Sequence, residues 1–213
     1  MNEFSNRSNS KEKNEKQLKK SRLRNEILKK RILLDTEELE RGSEELLKKV
    51  TVLPEYEQAS RIMIYADFRK EVPTGLLMDR ILQDGKKLVL PLTDKAFQII
   101  PYELPAGLTE WQDHLIPSSF GVPEPDPGFW LSADPETIDL VLIPGSVFDK
   151  MGGRIGYGKG CYDRFLPKLR PGVPKIALAY DFQVVPTVPV DDKDVAMDKI
   201  LTVTTNAIKK QAD

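Results

Sequence analysis

The sequence predicts an α/β protein: a three-layer, open and mainly parallel sheet with helices on both faces, preceded by an N-terminal helical arm. Three observations predict it. Between Arg61 and Leu90 a strand-like run, a segment of helical period and a second strand-like run follow one another, the order that makes parallel neighbours in one sheet. A nearly continuous apolar run, Asp139 to Ile143, leads into a glycine-rich loop instead of a tight turn. Two later apolar runs, Lys175 to Ala179 and Ile200 to Val203, are far enough along the chain for crossovers.

Taken in order, residues 1–15 are polar, with Asn and Ser among charges, and are expected to form a disordered tail. Residues 16–213 are expected to form a single domain around one core. From Lys16 to Leu34 apolar residues recur four apart, Leu23 with Ile27 and Leu28 with Ile32, which reads as an amphipathic helix with a cationic flank. Residues 1–24 hold eight Lys or Arg against three Glu, and residues 35–57 hold eight acids against three bases, so the two runs offset each other. The aromatic interleaving of single-strand binders is missing, and no nucleic-acid partner is expected. Asp35 and Glu38 are placed as a capping box for a second helix that carries Leu39, Leu46, Leu47 and Val50 inward before Pro54. A strand Arg61 to Ala66, a helix Thr74 to Gln83, and strands Lys87 to Leu90 and Phe97 to Pro101 follow. Residues 101–137, rich in Pro, Gly and aromatics without periodicity, read as a long ordered loop or a small subdomain lying over the sheet. Beyond Ile143 come the glycine loop, a short helix ending near Leu169, and the last two strands. Ligands of open α/β sheets bind beyond the carboxyl ends of the strands, so residues 67–71, 144–163 and 180–183 are expected to line one cleft.

A net charge of −1 offers no global attraction for polyanions or anionic membranes. The single cysteine, Cys161, excludes an intrachain disulfide or a cysteine-based metal cluster and fits a reducing compartment. No apolar run reaches the length of a membrane span, and the N-terminus is not signal-like. The expectation is a cytoplasmic monomer without membrane contact. His114 is the only histidine, and no nucleophilic triad can be built on it.

The chemistry is expected in the stretch Leu142 to Leu166, where glycines 152, 153, 156, 158 and 160 surround Arg154 and Lys159. Such a density of glycine costs backbone entropy and implies that something approaches the backbone closely. Open N–H groups, two cations and a helix start are the parts of a phosphate cradle. The spacing is neither that of Walker A nor that of the dinucleotide fingerprint.

With these residues in view, the chain closely resembles the 5-formyltetrahydrofolate cyclo-ligases, also called methenyltetrahydrofolate synthetases. Four blocks carry the resemblance: Lys20 to Arg24 (KSRLR), Glu71 to Thr74 (EVPT), Phe120 to Pro125 (FGVPEP), and Pro144 to Asp149 (PGSVFD) running into Gly153 to Arg164 (GRIGYGKGCYDR). The resemblance implies an open sheet like those of sugar-phosphate isomerases and CoA transferases. It implies ATP-dependent conversion of 5-formyltetrahydrofolate to 5,10-methenyltetrahydrofolate, with ADP and phosphate released and Mg²⁺ present. Positioning and neutralisation of charge on a transferring phosphoryl group are what such chemistry asks of a protein. The alternative is a folate-binding or folate-buffering protein of the same fold without efficient turnover.

By the same resemblance, Lys20 and Arg24, four apart on one helix face, contact ATP. So do Arg154, Gly156, Tyr157, Gly158, Lys159, Gly160, Cys161 and Tyr162, with Arg154 and Lys159 catalytic. Ala66, Glu71, Phe120 and Tyr157 to Cys161 border the folate, with Glu71 on the pterin side. Asp163 and Asp198 are implied as the metal carboxylates. Three positions depart from the commonest family pattern: Cys161 in place of a second tyrosine, Tyr157 in place of a second loop cation, and Asp192, Lys193 and Asp194 in place of a His-Asp pair.

Overall fold

Apolar side chains alternate between the two faces of each strand, and that alternation builds the layers of the computed structural model, which describes residues 3–119 and 121–206. In chain order its elements are α1 (Glu3–Ile32), α2 (Thr36–Thr51), α3 (Pro54–Gln58), β1 (Arg61–Met63), α4 (Gly75–Gln83), β2 (Lys87–Thr93), β3 (Ile99–Glu103), β4 (Leu115–Pro117), β5 (Pro123–Pro125), β6 (Leu131–Ser132), β7 (Leu140–Ile143), β8 (Val147–Asp149), β9 (Arg154–Ile155), α5 (Cys161–Phe165), β10 (Lys175–Tyr180), β11 (Val184–Val185) and β12 (Lys199–Val203). The main sheet has seven strands in the order β12-β10-β7-β1-β2-β3-β6. Its run from β12 to β2 is parallel, and β3 and β6 add to it antiparallel. Ile62, Ile64, Leu88 and Leu142 pack with Leu46 and Val50 of α2 and Leu77 and Ile81 of α4. Met63, Val89, Val141 and Ile143 pack on the opposite face with Phe148, Phe165 and Leu166. The three-layer, mainly parallel α/β expectation is what the chain adopts.

Local chemistry sets the boundaries. The Asp35 carboxylate accepts the Glu38 N–H at 2.9 Å and starts α2. The Glu38 carboxylate does not return to the cap; it accepts from Arg41 and from the Asn206 N–H. Pro54 opens α3 at its first turn, where its missing N–H costs nothing, and α2 has already ended at Thr51. Strand β3 begins two residues later than expected because Phe97, at φ 59°, belongs to a turn held by the Asp94 carboxylate, which accepts the N–H groups of Ala96 and Gln98. Residues 101–137 are partly laddered: β4 pairs with β5, and β6 extends the main sheet. Trp111 and Trp130 pin this region by donating to the Asp79 carboxylate and the His114 carbonyl, and His114 stacks on Phe129.

Helical backbone of α1 runs from Glu3 to Ile32. One expectation about the N-terminal arm changes in part: of the apolar pairs read from spacing, Leu23 and Ile27 dock α1, whereas Ile32 is 67% exposed. Ile27 is seated against Val147, Ile155 and Val188, and Lys20 and Arg31 are buried on the same side. No helix among the described residues is long and apolar enough to cross a membrane.

After β2 and β3 the chain crosses back and lays β7 on the other side of β1. The strand order reverses between β1 and β7, so the crevice beyond their carboxyl ends is the topological switch point. The glycine-rich stretch overhangs it, and its base is a small three-stranded sheet, β11-β8-β9, too short in each strand to show in the sequence. Asp149 holds the turn between β8 and β9: Oδ1 accepts the N–H groups of Met151 and Gly153, both at 2.9 Å, and Oδ2 accepts that of Val188 at 2.7 Å. Gly152 sits in this turn at φ 89°, where a Cβ would lie 2.4 Å from the Met197 carbonyl oxygen. Gly152→Ala is therefore expected to lower stability by about 3 kcal/mol, from left-handed strain plus overpacking. A urea melt read by circular dichroism measures it, and a midpoint equal to that of the parent would contradict this account of the turn.

Candidate functional site

A cleft of ≈1590 Å³ opens at the switch point. Its floor is the carboxyl end of β1, where Tyr65 and Ala66 lie, and the Pro144–Gly145 turn after β7; its walls are the glycine stretch 154–164, α1, and residues 191–195. The stretch 180–183 does not line it. Gln183 supports it from beneath by donating to the carbonyls of Gly145 and Ser146 and accepting the Tyr180 N–H.

Helix α1 supplies one wall because Lys20, Arg24, Ile27 and Arg31, at intervals of four, three and four, share one face. Ile27 is the apolar anchor between polar groups. The Lys20 ammonium is buried and lies 2.7 Å from Asp191 and 2.5 Å from Asp194. Burial alone would lower its pKa, but the two carboxylates outweigh that and leave it raised. Arg24 Nε donates to the Gly156 carbonyl at 2.7 Å, tying α1 to the glycine stretch 132 residues away. Gly158, at φ 95°, is where a Cβ would stand 3.2 Å from the Arg24 guanidinium, so the loop can close on α1 only with glycine there.

Arg154 is buried on β9 with its Nη2 on Asp163 Oδ1 at 3.0 Å, while its Nε has no hydrogen-bond partner. Lys159 is exposed, with its ammonium 4.6 Å above the centre of the Phe97 ring. Helix α5 is a single turn, so its dipole adds little to the cradle expected there, and the cations carry the positive field. Glu71, also in the cleft, is buried, its Oε2 accepting the Phe68 N–H at 3.0 Å and its Oε1 the Tyr157 hydroxyl at 3.1 Å. Burial pushes the Glu71 carboxyl up to about 7, with Arg31 only partly opposing it. Tyr157 is pushed up to about 12, by burial first and then by Glu71, and remains a neutral donor. Burial also raises the Cys161 thiol, which argues against a thiolate nucleophile.

A model of the 5-formyltetrahydrofolate cyclo-ligase family matches residues 16–203. The chain belongs to that family. The mouse 5-formyltetrahydrofolate cyclo-ligase is 31% identical over 84% of this chain and 91% of its own length. The Haemophilus influenzae protein of the same name is 28% identical over 86% of this chain and 97% of its own. The solution structure of Aquifex aeolicus 5,10-methenyltetrahydrofolate synthetase superposes with a TM-score of 0.72 at 34% identity, covering 86% of this chain and 89% of that one. Membership of the family makes the protein an ATP-dependent ligase of folate one-carbon metabolism, a 5-formyltetrahydrofolate cyclo-ligase.

The structure brings Lys20, Arg24, Ala66, Glu71, Arg154, Asp163 and Gly156 through Tyr162 to this one cleft. Asp198 is not among them. It lies at the amino end of β10, 53% exposed, where its Oδ2 accepts the Lys175 N–H and pairs with the Lys175 ammonium, both at 2.8 Å. Four residues of sequence separate it from Asp194, which does line the cleft. Phe120 falls outside the described residues. Sequence reasoning missed Arg31, Phe97, Asp191 and Asp194 as cleft or supporting residues; Arg31 continues the stripe of Lys20, Arg24 and Ile27, but that spacing alone does not show its burial.

The raised Glu71 pKa has a stability consequence. Between the usual glutamate pKa of about 4.3 and about 7 the folded state holds a proton that the unfolded chain has lost, so stability falls as pH rises through that window. Glu71→Gln is expected to flatten that decline. Melting temperatures across the window test it, and a variant as pH-sensitive as its parent would place the titration elsewhere.

Proposed function

We propose that this cleft transfers the γ-phosphoryl group of ATP to the formyl oxygen of 5-formyltetrahydrofolate, after which N10 attacks the activated carbon and phosphate leaves as the ring closes. The products are 5,10-methenyltetrahydrofolate, ADP and phosphate. The observation that carries this reading is convergence: Lys20 and Arg24 of α1, Arg154 and Lys159 of the glycine stretch, and Glu71 all line one cleft.

An amide-like oxygen is a weak nucleophile, and the phosphoryl transition state spreads charge over its equatorial oxygens. Positioning and charge stabilisation are therefore the catalytic task. Arg154 suits it, because burial makes its field strong, Asp163 orients it, and it lines the cleft. Lys159 adds a mobile point charge. Lys20 and Arg24 clamp the nucleotide phosphates, and Gly156, Gly158 and Gly160 let them approach the backbone, with Tyr157, Cys161 and Tyr162 beside them. Ala66, Glu71 and Tyr157 to Cys161 border the folate, where the Glu71 carboxyl can meet the amino-pyrimidine edge of the pterin.

Among the described residues no three His, Cys, Asp or Glu cluster as a ready-made metal site. That fits Mg²⁺, which is held by one or two carboxylates plus substrate phosphates. Asp163 and Asp194, which both line the cleft, are the carboxylates that would hold it, with the Asp163 Oδ1 accepting the N–H of Val195 next to Asp194; Asp198, outside the cleft, is not proposed for that role. The ion, when bound, would offset charge on the phosphate oxygens. The single cysteine supports a cytoplasmic location.

Purified protein with Mg-ATP and 5-formyltetrahydrofolate is expected to develop methenyl absorbance with stoichiometric ADP; folate binding without ADP release would make it a folate-buffering protein instead. Lys20→Ala is expected to raise the KM for ATP more than that for folate, since it removes a phosphate contact; equal effects on both would mean the clamp is misassigned. Arg154→Ala is expected to lower kcat by about 10²- to 10³-fold, the size typical for a group that stabilises transition-state charge. An unchanged kcat would make Arg154 a structural residue.

A further inference from the structure

The loop between β1 and α4 holds two consecutive non-glycine residues in the left-handed region, Arg69 at φ 50° and Lys70 at φ 56°. Neither has the short polar side chain that eases this conformation, so the surroundings must impose it. Those surroundings are the end of α1. Arg31 Nε donates to the Arg69 carbonyl at 2.8 Å, and its Nη2 reaches the Phe68 carbonyl at 3.5 Å. From the other side the Lys70 ammonium donates to the carbonyls of Ile32 at 2.7 Å and Leu34 at 2.6 Å, groups left open where the helix ends. Within this clamp Glu71 turns inward to the Phe68 N–H and the Tyr157 hydroxyl. Arg31 is 1% exposed, donates to the same Tyr157 hydroxyl, and has an Nη1 without a hydrogen-bond partner, 3.9 Å from Glu71 Oε1. A guanidinium buried this deeply, with one donor unsatisfied, is costly, and its cost calls for a reason.

We propose that Arg31 is a positioning residue for the folate side of the cleft. Its planar fork clamps the left-handed 68–71 loop and Tyr157, so that Glu71 is presented to the pterin edge. Arg31 is not among the residues lining the cleft and acts only through Glu71 and Tyr157. It shares a helix face with Lys20 and Arg24, yet serves the other substrate. The proposal rests on the pterin reading of Glu71. A lysine would keep the charge but lose the fork, which reaches two carbonyls and a hydroxyl at once.

The test measures the dissociation constant of 5-formyltetrahydrofolate and the KM for Mg-ATP in Arg31→Met, Arg31→Lys, Glu71→Gln and the Arg31→Met/Glu71→Gln double variant, each shown by thermal melt to be folded. Arg31→Met is expected to weaken folate binding by about tenfold or more while the KM for Mg-ATP stays within about twofold, the split that a purely structural role would not produce. The double variant is expected to bind folate no more weakly than Glu71→Gln alone, since both changes remove one interaction. Should Arg31→Met not fold, Arg31→Lys carries the test: weakened folate binding at parental ATP affinity supports the fork, and parental folate binding overturns it. Equal losses for both substrates would also overturn it. If Glu71→Gln weakens folate and Arg31→Met does not, the clamp alone fails; if Glu71→Gln leaves folate binding unchanged, the pterin reading fails first.

Discussion

The site depends on cations taken out of water. Lys20, Arg31 and Arg154 are each at most 7% exposed, and Arg24 is half-buried. A desolvated charge must find partners or its burial is not tolerated. Their partners are what draw the site together: Asp191 and Asp194 for Lys20, the Gly156 carbonyl for Arg24, Asp163 for Arg154, and the 68–71 loop with Tyr157 for Arg31. All but the Arg154–Asp163 pair join segments remote in sequence, so the arrangement exists only in the folded chain. Two donors, Arg31 Nη1 and Arg154 Nε, are left buried without a hydrogen-bond partner.

The glycines divide by task. Gly152 and Gly153 belong to the scaffold: a Cβ on either would meet the Met197 carbonyl or the Asp149 carboxylate at less than 3 Å. They let the β8–β9 turn close on Asp149, and that turn carries Arg154 into the cleft. Gly158 keeps α1 close to the loop. A dense glycine cluster thus mixes residues that hold the frame with residues that leave room for a ligand, and composition alone cannot separate the two.

What could be read from the sequence follows the range of the interactions involved. The Asp35 cap, the Thr74–Gln83 helix and the inner strands are set by neighbours a few residues away, and they lie where local pattern puts them. Lys20 and Arg24 became legible as site residues through the family pattern, and the structure places them in the cleft. Arg31 stayed hidden because a buried arginine looks like any surface base in a helix of low apolar content, its partners lying 37 to 126 residues away. Asp198 shows the reverse error. The family resemblance implied it as a metal carboxylate, but it follows Met197, which turns into the core, and is left at the amino end of β10 beside Lys175. Phe97 was assigned to a strand because aromatic residues favour strands, whereas the Asp94 carboxylate wins locally and turns the chain there.

One helix serving both walls has a mechanical consequence. On the proposed assignment Lys20 and Arg24 serve the nucleotide and Arg31 the folate, all from the same face of α1, and Ile27, seated on Val147, Ile155 and Val188 between them, fixes the height of all three. A helix turn rises about 5.4 Å, so a slip of α1 by even part of a turn would misplace both sets of contacts together. The β8 and β9 strands that receive Ile27 also carry Arg154, so the groups of α1 and the arginine of the glycine stretch are registered against one small apolar contact. In-line phosphoryl transfer requires the two substrates to meet within a few tenths of an ångström of a shared line. A common datum for the two halves of the site is how a chain with one core can meet that demand.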